Sequence, residues 1–354
     1  MITARRLLAL SPLKSAAVAA LSALAVACSS PPPPPPPAPP PQPPPAPVIP
    51  GVSLSAKVVE QAAAYRAYVA HASAISPSFA NGDDVAQSLK TGESYEPAAL
   101  ERGAIAYGAV VALQEPSYVA GVRKFVADPD GRRTVAYEII RNPDYVTKFD
   151  GYDQAAGMVR HALGEDGRRI LMAGRTIRQS AYDVQHQAWS KADVQGRDAR
   201  LALAKDLSSK AGVGEVEETA RLQSAVGGGA QMDKTSDHSD SPYANAVNHA
   251  LAVAALAALG YANDDLLGSV MPMLGEPDEV TCLNAAKLNL YQCLAVARPH
   301  YEDVFCLGQH ALEETGHCLM LGAGVAEPID PTTKVADAST SKPVKKKRAK
   351  SKKR

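Results

Sequence analysis

From Ser55 onward, apolar residues recur at three- and four-residue steps: Val58, Ala62, Tyr65, Val69 and Ala72. This spacing predicts an amphipathic helix reaching about Ser76, with Ser55 as its cap. Asn81-Gly82-Asp83 reads as a turn and restart, and Pro97 opens a second long helix, PAALERGAIAYGAVVALQE, because proline suits the first helical position. Pro116, Pro129 and Pro143 then punctuate shorter helices up to about Tyr145. Between Gly167 and Lys210 there is no proline, and one or two long helices fit, with Gly196 as the expected interruption. Val213 to Val226 forms a further short helix. Gly227-Gly228-Gly229 and the following AQMDKTSDHSDSP form a flexible loop, 227–242, between an N-terminal helical part, 51–226, and a C-terminal one, 243–321. Within the latter, ALAVAALAAL is apolar on every side. At ten residues it is a buried core helix rather than a membrane span, which needs about 20. A short helix near Asp264–Leu274 follows. Past Leu321 the chain turns polar, and 322–354 is expected to be a disordered basic tail.

Composition agrees with helices. Aromatic residues make up only 5% of the chain while alanine is abundant, which favours closely packed helices over a sheet. Two short echoes, Pro116-Ser117-Tyr118-Val119 with Pro143-Asp144-Tyr145-Val146 and Asp130-Gly131-Arg132-Arg133 with Asp166-Gly167-Arg168-Arg169, have different offsets, so no repeat array is expected.

The front of the chain sets the compartment. Residues 1–27 read as an export signal: Arg5, Arg6 and Lys14 precede the apolar run Ser15–Ala27. Leu24-Ala25-Val26-Ala27-Cys28 resembles the lipobox of bacterial lipoproteins, with Ala25 where that box usually has Leu. The resemblance implies a lipid on Cys28, and Ser29 at the next position implies an outer-membrane address. The same residues also satisfy an Ala-x-Ala cleavage site that would leave Cys28 free. Residues 28–50 are then the anchor and a proline-rich spacer, which in polyproline II would extend on the order of 60 Å.

Export decides how the other cysteines read. In an oxidising compartment, Cys282, Cys293, Cys306 and Cys318 are expected to form two disulfides. Both the inner and the outer pair are centred near Pro299, so a helical hairpin folded at Arg298–Pro299 would pair Cys282 with Cys318 and Cys293 with Cys306. Sequential pairing fits worst, since cysteines eleven residues apart on one helix lie about 16 Å apart. Cys282 and Cys293 fall within about 20° of one face, whereas the twelve-residue step from Cys306 to Cys318 leaves those two about 120° apart. A helix break at Gly316 is the expected remedy. The layout is similar to the twin Cys-x9-Cys hairpins of intermembrane-space proteins, with spacings of ten and eleven instead of nine, over fewer than forty residues. The spacing is too wide for a structural zinc site, and no metal or cofactor is expected.

The formal net charge of zero conceals an asymmetry. With the three basic residues of the export signal and the nine between Lys342 and Arg354 set aside, 25 basic residues face 37 acidic ones. Nucleic acid is disfavoured by compartment. An anionic phospholipid or envelope polymer would suit the tail, beside the membrane held through the anchor and an unidentified protein partner.

Candidate chemistry is sparse. Glu314-x-x-His317 has the spacing of a di-iron bundle half-site but no second copy. Glu93-Ser94-Tyr95 resembles the Glu-Ser dipeptide of lytic transglycosylases, without their Gly-Leu-Met-Gln segment. Tyr182, His186 and Trp189 fall at i, i+4 and i+7 on an expected long helix and would form a ridge able to anchor a partner or glycan. His300 and Tyr301, with Glu302 and Asp303, follow the hairpin turn and form a second candidate binding patch; the two acids also suit a helix N-terminus. The expectation is an all-α, multi-helix bundle with a C-terminal disulfide-stapled helical hairpin. With no recognisable catalytic set, it would serve as a non-catalytic envelope lipoprotein that scaffolds or binds between the membrane and another envelope component; the alternative is a hydrolase or lyase acting on peptidoglycan or another glycan through an unassigned acid.

Overall fold

The structure is a computed structural model and describes residues 51–239 and 242–329. Residues 1–50, expected to hold the export signal, Cys28 and the proline-rich spacer, and the expected basic tail from residue 330 onward lie outside the described residues. Within them the protein is all-α: there are no strands, only the isolated bridges Leu54–Ala262 and Asp193–Pro299.

Local chemistry explains where helices begin. The first helix, α1 (Ala56–Ser73), starts at Ser55, whose hydroxyl accepts from Lys57 N at 3.2 Å and donates to Asp264 at 2.6 Å. The Asn81 side chain caps α2 (Gly82–Glu93). A single device then recurs: an acid or amide directly before proline. Glu96-Pro97 opens α3 (Pro97–Ala112), Glu115-Pro116 opens α4 (Pro116–Arg123), and Asp128-Pro129 opens α5 (Pro129–Arg141). Asn142-Pro143 opens a 3-10 turn, Pro143–Lys148. Proline forces the preceding residue into the extended region that an N-cap requires, and the cap's oxygens accept the first free N–H groups. Glu96, for example, accepts from Ala98 N at 3.0 Å and Ala99 N at 2.6 Å.

The chain continues through α6 (Tyr152–Val184), α7 (Arg197–Leu207), α8 (Val216–Val226), α9 (Asn245–Leu259) and the short α10 (Leu267–Val270), which lies between two 3-10 turns. The hairpin comprises α11 (Pro277–Val296), also opened by the acid-proline device at Glu276, then α12 (His300–Cys306), a π-helical segment (Leu307–Glu313) and α13 (Glu314–Gly322). At the centre lies α9, with its ALAVAALAAL stretch wholly buried against α3, α6 and the surrounding short helices. Alanines and glycines allow the close approach: a Cβ on Gly108 of α3 would stand 2.8 Å from Ala250 Cβ of α9.

Several expectations need adjustment. The expected two helical parts share one core and one compact unit. The loop between them is tied to α6, through Asp237 N to Gly157 O at 3.0 Å and His161 Nδ1 to Asp237 at 3.0 Å. Gly196 (φ 65°) precedes α7 rather than interrupting a long helix, because α6 has already ended at Val184. The first residues past Leu321 are held as well, since Arg175 donates to Pro328 O at 2.8 Å and pairs with Glu327 at 2.9 Å.

The hairpin carries the nested disulfides, with Cα–Cα distances of 5.6 Å for Cys282–Cys318 and 5.7 Å for Cys293–Cys306. The expected break at Gly316 does not occur; Gly316 lies buried within α13. The phase is corrected instead by the π-helical segment between the cysteines, whose wider i→i+5 turn takes up about one extra residue. Twelve residues therefore turn the second arm roughly as far as eleven turn the first. Gly316 serves a different need. The second arm runs antiparallel against α6, and a Cβ on Gly316 would sit 2.6 Å from Gly167 O, while one on Gly174 would sit 2.7 Å from Gly308 O. Only glycine allows the two backbones this close.

Candidate functional site

Both candidate patches converge on the hairpin tip, although not as the ridge the spacing suggested. Because α6 stops at Val184, Tyr182 lies in the helix, His186 follows its end, and Trp189 opens a 3-10 turn, Trp189–Lys191. The three do not share a helical face. What brings them near His300 and Tyr301 is the binding of the 192–200 region to the hairpin turn. Val194 N donates to Arg298 O at 2.8 Å, and His300 N donates to Ala192 O at 3.3 Å. Arg197 donates to Ala297 O at 2.8 Å and Ala295 O at 2.9 Å. Arg200 reaches Leu294 O and pairs with the buried Asp303, whose carboxyl is raised by burial against the opposing pull of Arg200. Two arginines of α7 thus cap the free carbonyls at the end of α11.

The tip residues divide into two roles. Trp189 and His300 pack together with ring centroids 6.2 Å apart, and a Cβ on Gly82 would lie 2.6 Å from His300 Nε2. They are wedged between elements and hold the tip in place. Tyr182 (52% exposed) and His186 face outward, while Tyr301 is half-buried and packs against the core. Ala181, Tyr182, Gln185, Val296, Tyr301 and Phe305 line a notch of about 370 Å³, over which Val296 is 75% exposed. A shallower depression of about 650 Å³ adjoins it, bordered by His186, Lys191, Asp193 and Arg298. An apolar notch beside a polar, charged border is the anatomy of a binding surface. Cys293, on the inner disulfide, also lines the notch, so the covalent rung fixes its wall.

A second group lies inside the protein. Lys287 of α11 is buried, donates to Glu93 O at 2.6 Å, and stands 3.5 Å from the centroid of the Tyr95 ring. The Tyr95 hydroxyl shares a 2.7 Å hydrogen bond with Thr315, and Ser208 donates to Glu93 O at 3.2 Å. Glu93 ends α2 and is 3% exposed; burial pushes its carboxyl up to about 7 despite Lys287 and Arg200, and its Oε2 has no partner. Burial likewise pushes Lys287 well below its usual value, with Glu93 pulling the other way. Lys287 escaped the sequence reading, yet it interrupts the stripe Leu283, Leu290, Leu294 at the i+4 position, where a charge signals a buried partner. Glu314 and His317 are not brought together: Glu314 pairs with His310 at 2.8 Å and bonds Asn289 at 2.9 Å, and His317 pairs with Glu327.

Comparison with protein-family models, with curated proteins and with solved structures finds no match to this chain.

Proposed function

We propose that this chain is a non-catalytic lipoprotein of the cell envelope, anchored in the outer membrane through Cys28 and facing the periplasm, where it binds or scaffolds another envelope component. The observation that supports this reading is the hairpin tip: an apolar notch with exposed Tyr182 and Val296, on a turn braced by Cys293–Cys306 and by Arg197 and Arg200. A partner that docks there meets a preorganised surface, so little ordering cost opposes binding. The basic residues from Lys342 onward add attraction to an anionic phospholipid or envelope polymer, at about 1 kcal/mol per residue near a negative surface.

Photo-cross-linkers placed at Tyr182 and Tyr301 in cells are expected to give a discrete adduct, while one at the exposed Tyr137, outside the notch, gives none. Equal labelling from all three positions would remove the tip from the proposal. Sacculus and vesicle pull-downs should favour the full chain over one ending at Ser341, and Cys28→Ala should release the protein from the detergent fraction with a lower mass.

One observation favours a second reading, a glycan-acting hydrolase or lyase: the Glu93 carboxyl sits near 7 with a free oxygen. Its burial weighs against contact with a polymer. Release of soluble fragments from peptidoglycan, lost in Glu93→Gln, would establish this reading; no release by the wild type rejects it.

A further inference from the structure

A larger cavity, of about 740 Å³, lies away from the tip, between α1, the turn from α2 into α3, residues 211–216 and the start of α8. Its wall follows α1 from Ala56 to Tyr68, twelve residues on, which makes it about 18 Å long. Along that length the surface is apolar and shallowly contoured: Ala64, Ala99 and Leu100 with the sides of Tyr68 and Tyr95. Two of the wall's tyrosine hydroxyls are already engaged elsewhere, Tyr68 with Gly92 O at 3.1 Å and Tyr95 with Thr315, while the buried hydroxyl of Tyr65 has no hydrogen-bond partner.

The border is unusual in a way that bears on what fills the space. Val213 and Val216 are 87% and 84% exposed, apolar side chains left in water beside an apolar cavity. An apolar occupant would cover both. Charges on the border balance, Lys57 and Arg102 against Glu60 and Glu96, with Arg102 and Glu96 paired at 3.5 Å. That balance gives no net attraction to an ionic head group. Gln61, one α-helical turn from Tyr65, supplies a second unfilled polar requirement, and the one that asks for a donor. Its amide oxygen is shielded from solvent and receives no hydrogen bond, and its nitrogen reaches only the Met271 sulfur at 3.9 Å. A donor entering beside Gln61 and drawing its amide round would complete it.

We infer that this cavity binds a long-chain acyl group bearing an uncharged amide N–H. The length suits an extended chain of about 14 carbons, the chain lies on the alanine and tyrosine surface beneath Val213 and Val216, and the N–H donates to Gln61. The inference is independent of the tip and of how Cys28 is processed.

The test uses the full-length chain carrying Cys28→Ser, so that no detergent is needed, and displacement of the fluorescent dye 8-anilinonaphthalene-1-sulfonate. Dodecanamide should displace the dye at least on the order of 100-fold more tightly than hexanamide, since six methylenes leave water. Methyl dodecanoate, which lacks the donor, should bind about tenfold more weakly than the amide. Gln61→Leu should erase that tenfold difference without changing the dependence on chain length. Ala99→Trp should abolish displacement with an unchanged melting temperature. If it disturbs the fold, the surface change Val213→Ser with Val216→Ser replaces it and should weaken dodecanamide several-fold. Equal affinity of dodecanamide and hexanamide, or wild-type affinity in the variant that keeps its fold, overturns the site. Equal affinity of amide and ester on the wild type overturns the role of Gln61 and the amide class.

Discussion

The two arms of the hairpin reach the same disulfide rungs by different means. The first arm, α11, is a regular helix whose eleven-residue cysteine spacing already places both thiols on one face. Its other contacts include buried polar groups: Lys287 against Glu93 and Tyr95, and at its start Glu276 and Glu279 against Glu101. The second arm has one residue too many and absorbs it in the π-helical segment. It lies between α11 and α6, where backbone meets backbone at Gly308 and Gly316. The difference shows that one covalent pattern can rest on two kinds of support. Polar groups under the first arm respond to pH, while the glycine contacts of the second respond to volume.

The largest expected effect is on the rungs that join the arms. Removing the outer disulfide with Cys282→Ser and Cys318→Ser opens the longer loop and should cost about 4 kcal/mol. The inner pair, Cys293→Ser with Cys306→Ser, should cost about 3 kcal/mol. Urea unfolding of the two double variants measures this; an inner rung that matters more than the outer would show that the tip, rather than loop closure, governs stability.

Next is the second arm's intolerance of volume. Gly316→Val would force a side chain into Gly167 O and the Leu171 backbone, and should cost about 3 kcal/mol or more. An exposed residue on the first arm, Leu288, changed to Val should cost less than 1 kcal/mol in the same assay.

The first arm's sensitivity to pH comes third. Glu101 is buried, and burial followed by the neighbouring Glu276 raises its carboxyl to about 8. A raised acid is protonated in the folded state while the unfolded chain, near 4.5, has lost its proton. Its contribution is therefore complete below about 4.5 and is lost as pH rises to about 8. Relative to Glu101→Gln, the wild type should lose on the order of 2 kcal/mol between pH 5 and pH 8. Parallel melting-temperature profiles for the two proteins would remove Glu101 as the cause.

How much of this could be read in the sequence follows from the range of each interaction. Helix starts at Ser55, Asn81 and Pro97 rest on neighbours within three residues and were legible. The nested disulfides were legible too, because their common centre is a property of numbering alone. The end of α6 at Val184 was not, since the segment after it is positioned by Arg298 and His300 across the fold. The Tyr182, His186 and Trp189 ridge therefore dissolved, while Tyr182 and Tyr301 still met at one notch. Gly316 looked like a terminator because glycine serves both helix ends and close packing, and only the position of α6 distinguishes them.

The smallest expected effect is the sharpest test of the two-arm contrast. If the π-helical segment exists to absorb one residue, deleting Gln309 should let the second arm run as a regular helix with an eleven-residue cysteine spacing. Gly308 at the start of the segment and Gly316 after it would keep their places on α6, and both disulfides would still close. The Arg178 to Gln309 bond of 2.9 Å is lost, but Arg178 retains Glu313 at 2.8 Å. Stability should change by less than about 1 kcal/mol, and peptide mapping should recover both native disulfides. Deleting Asn289 from the middle of α11 is the counterpart. That arm has no residue to spare, so its thiols leave their common face by about 100° and at least one native disulfide should fail to form.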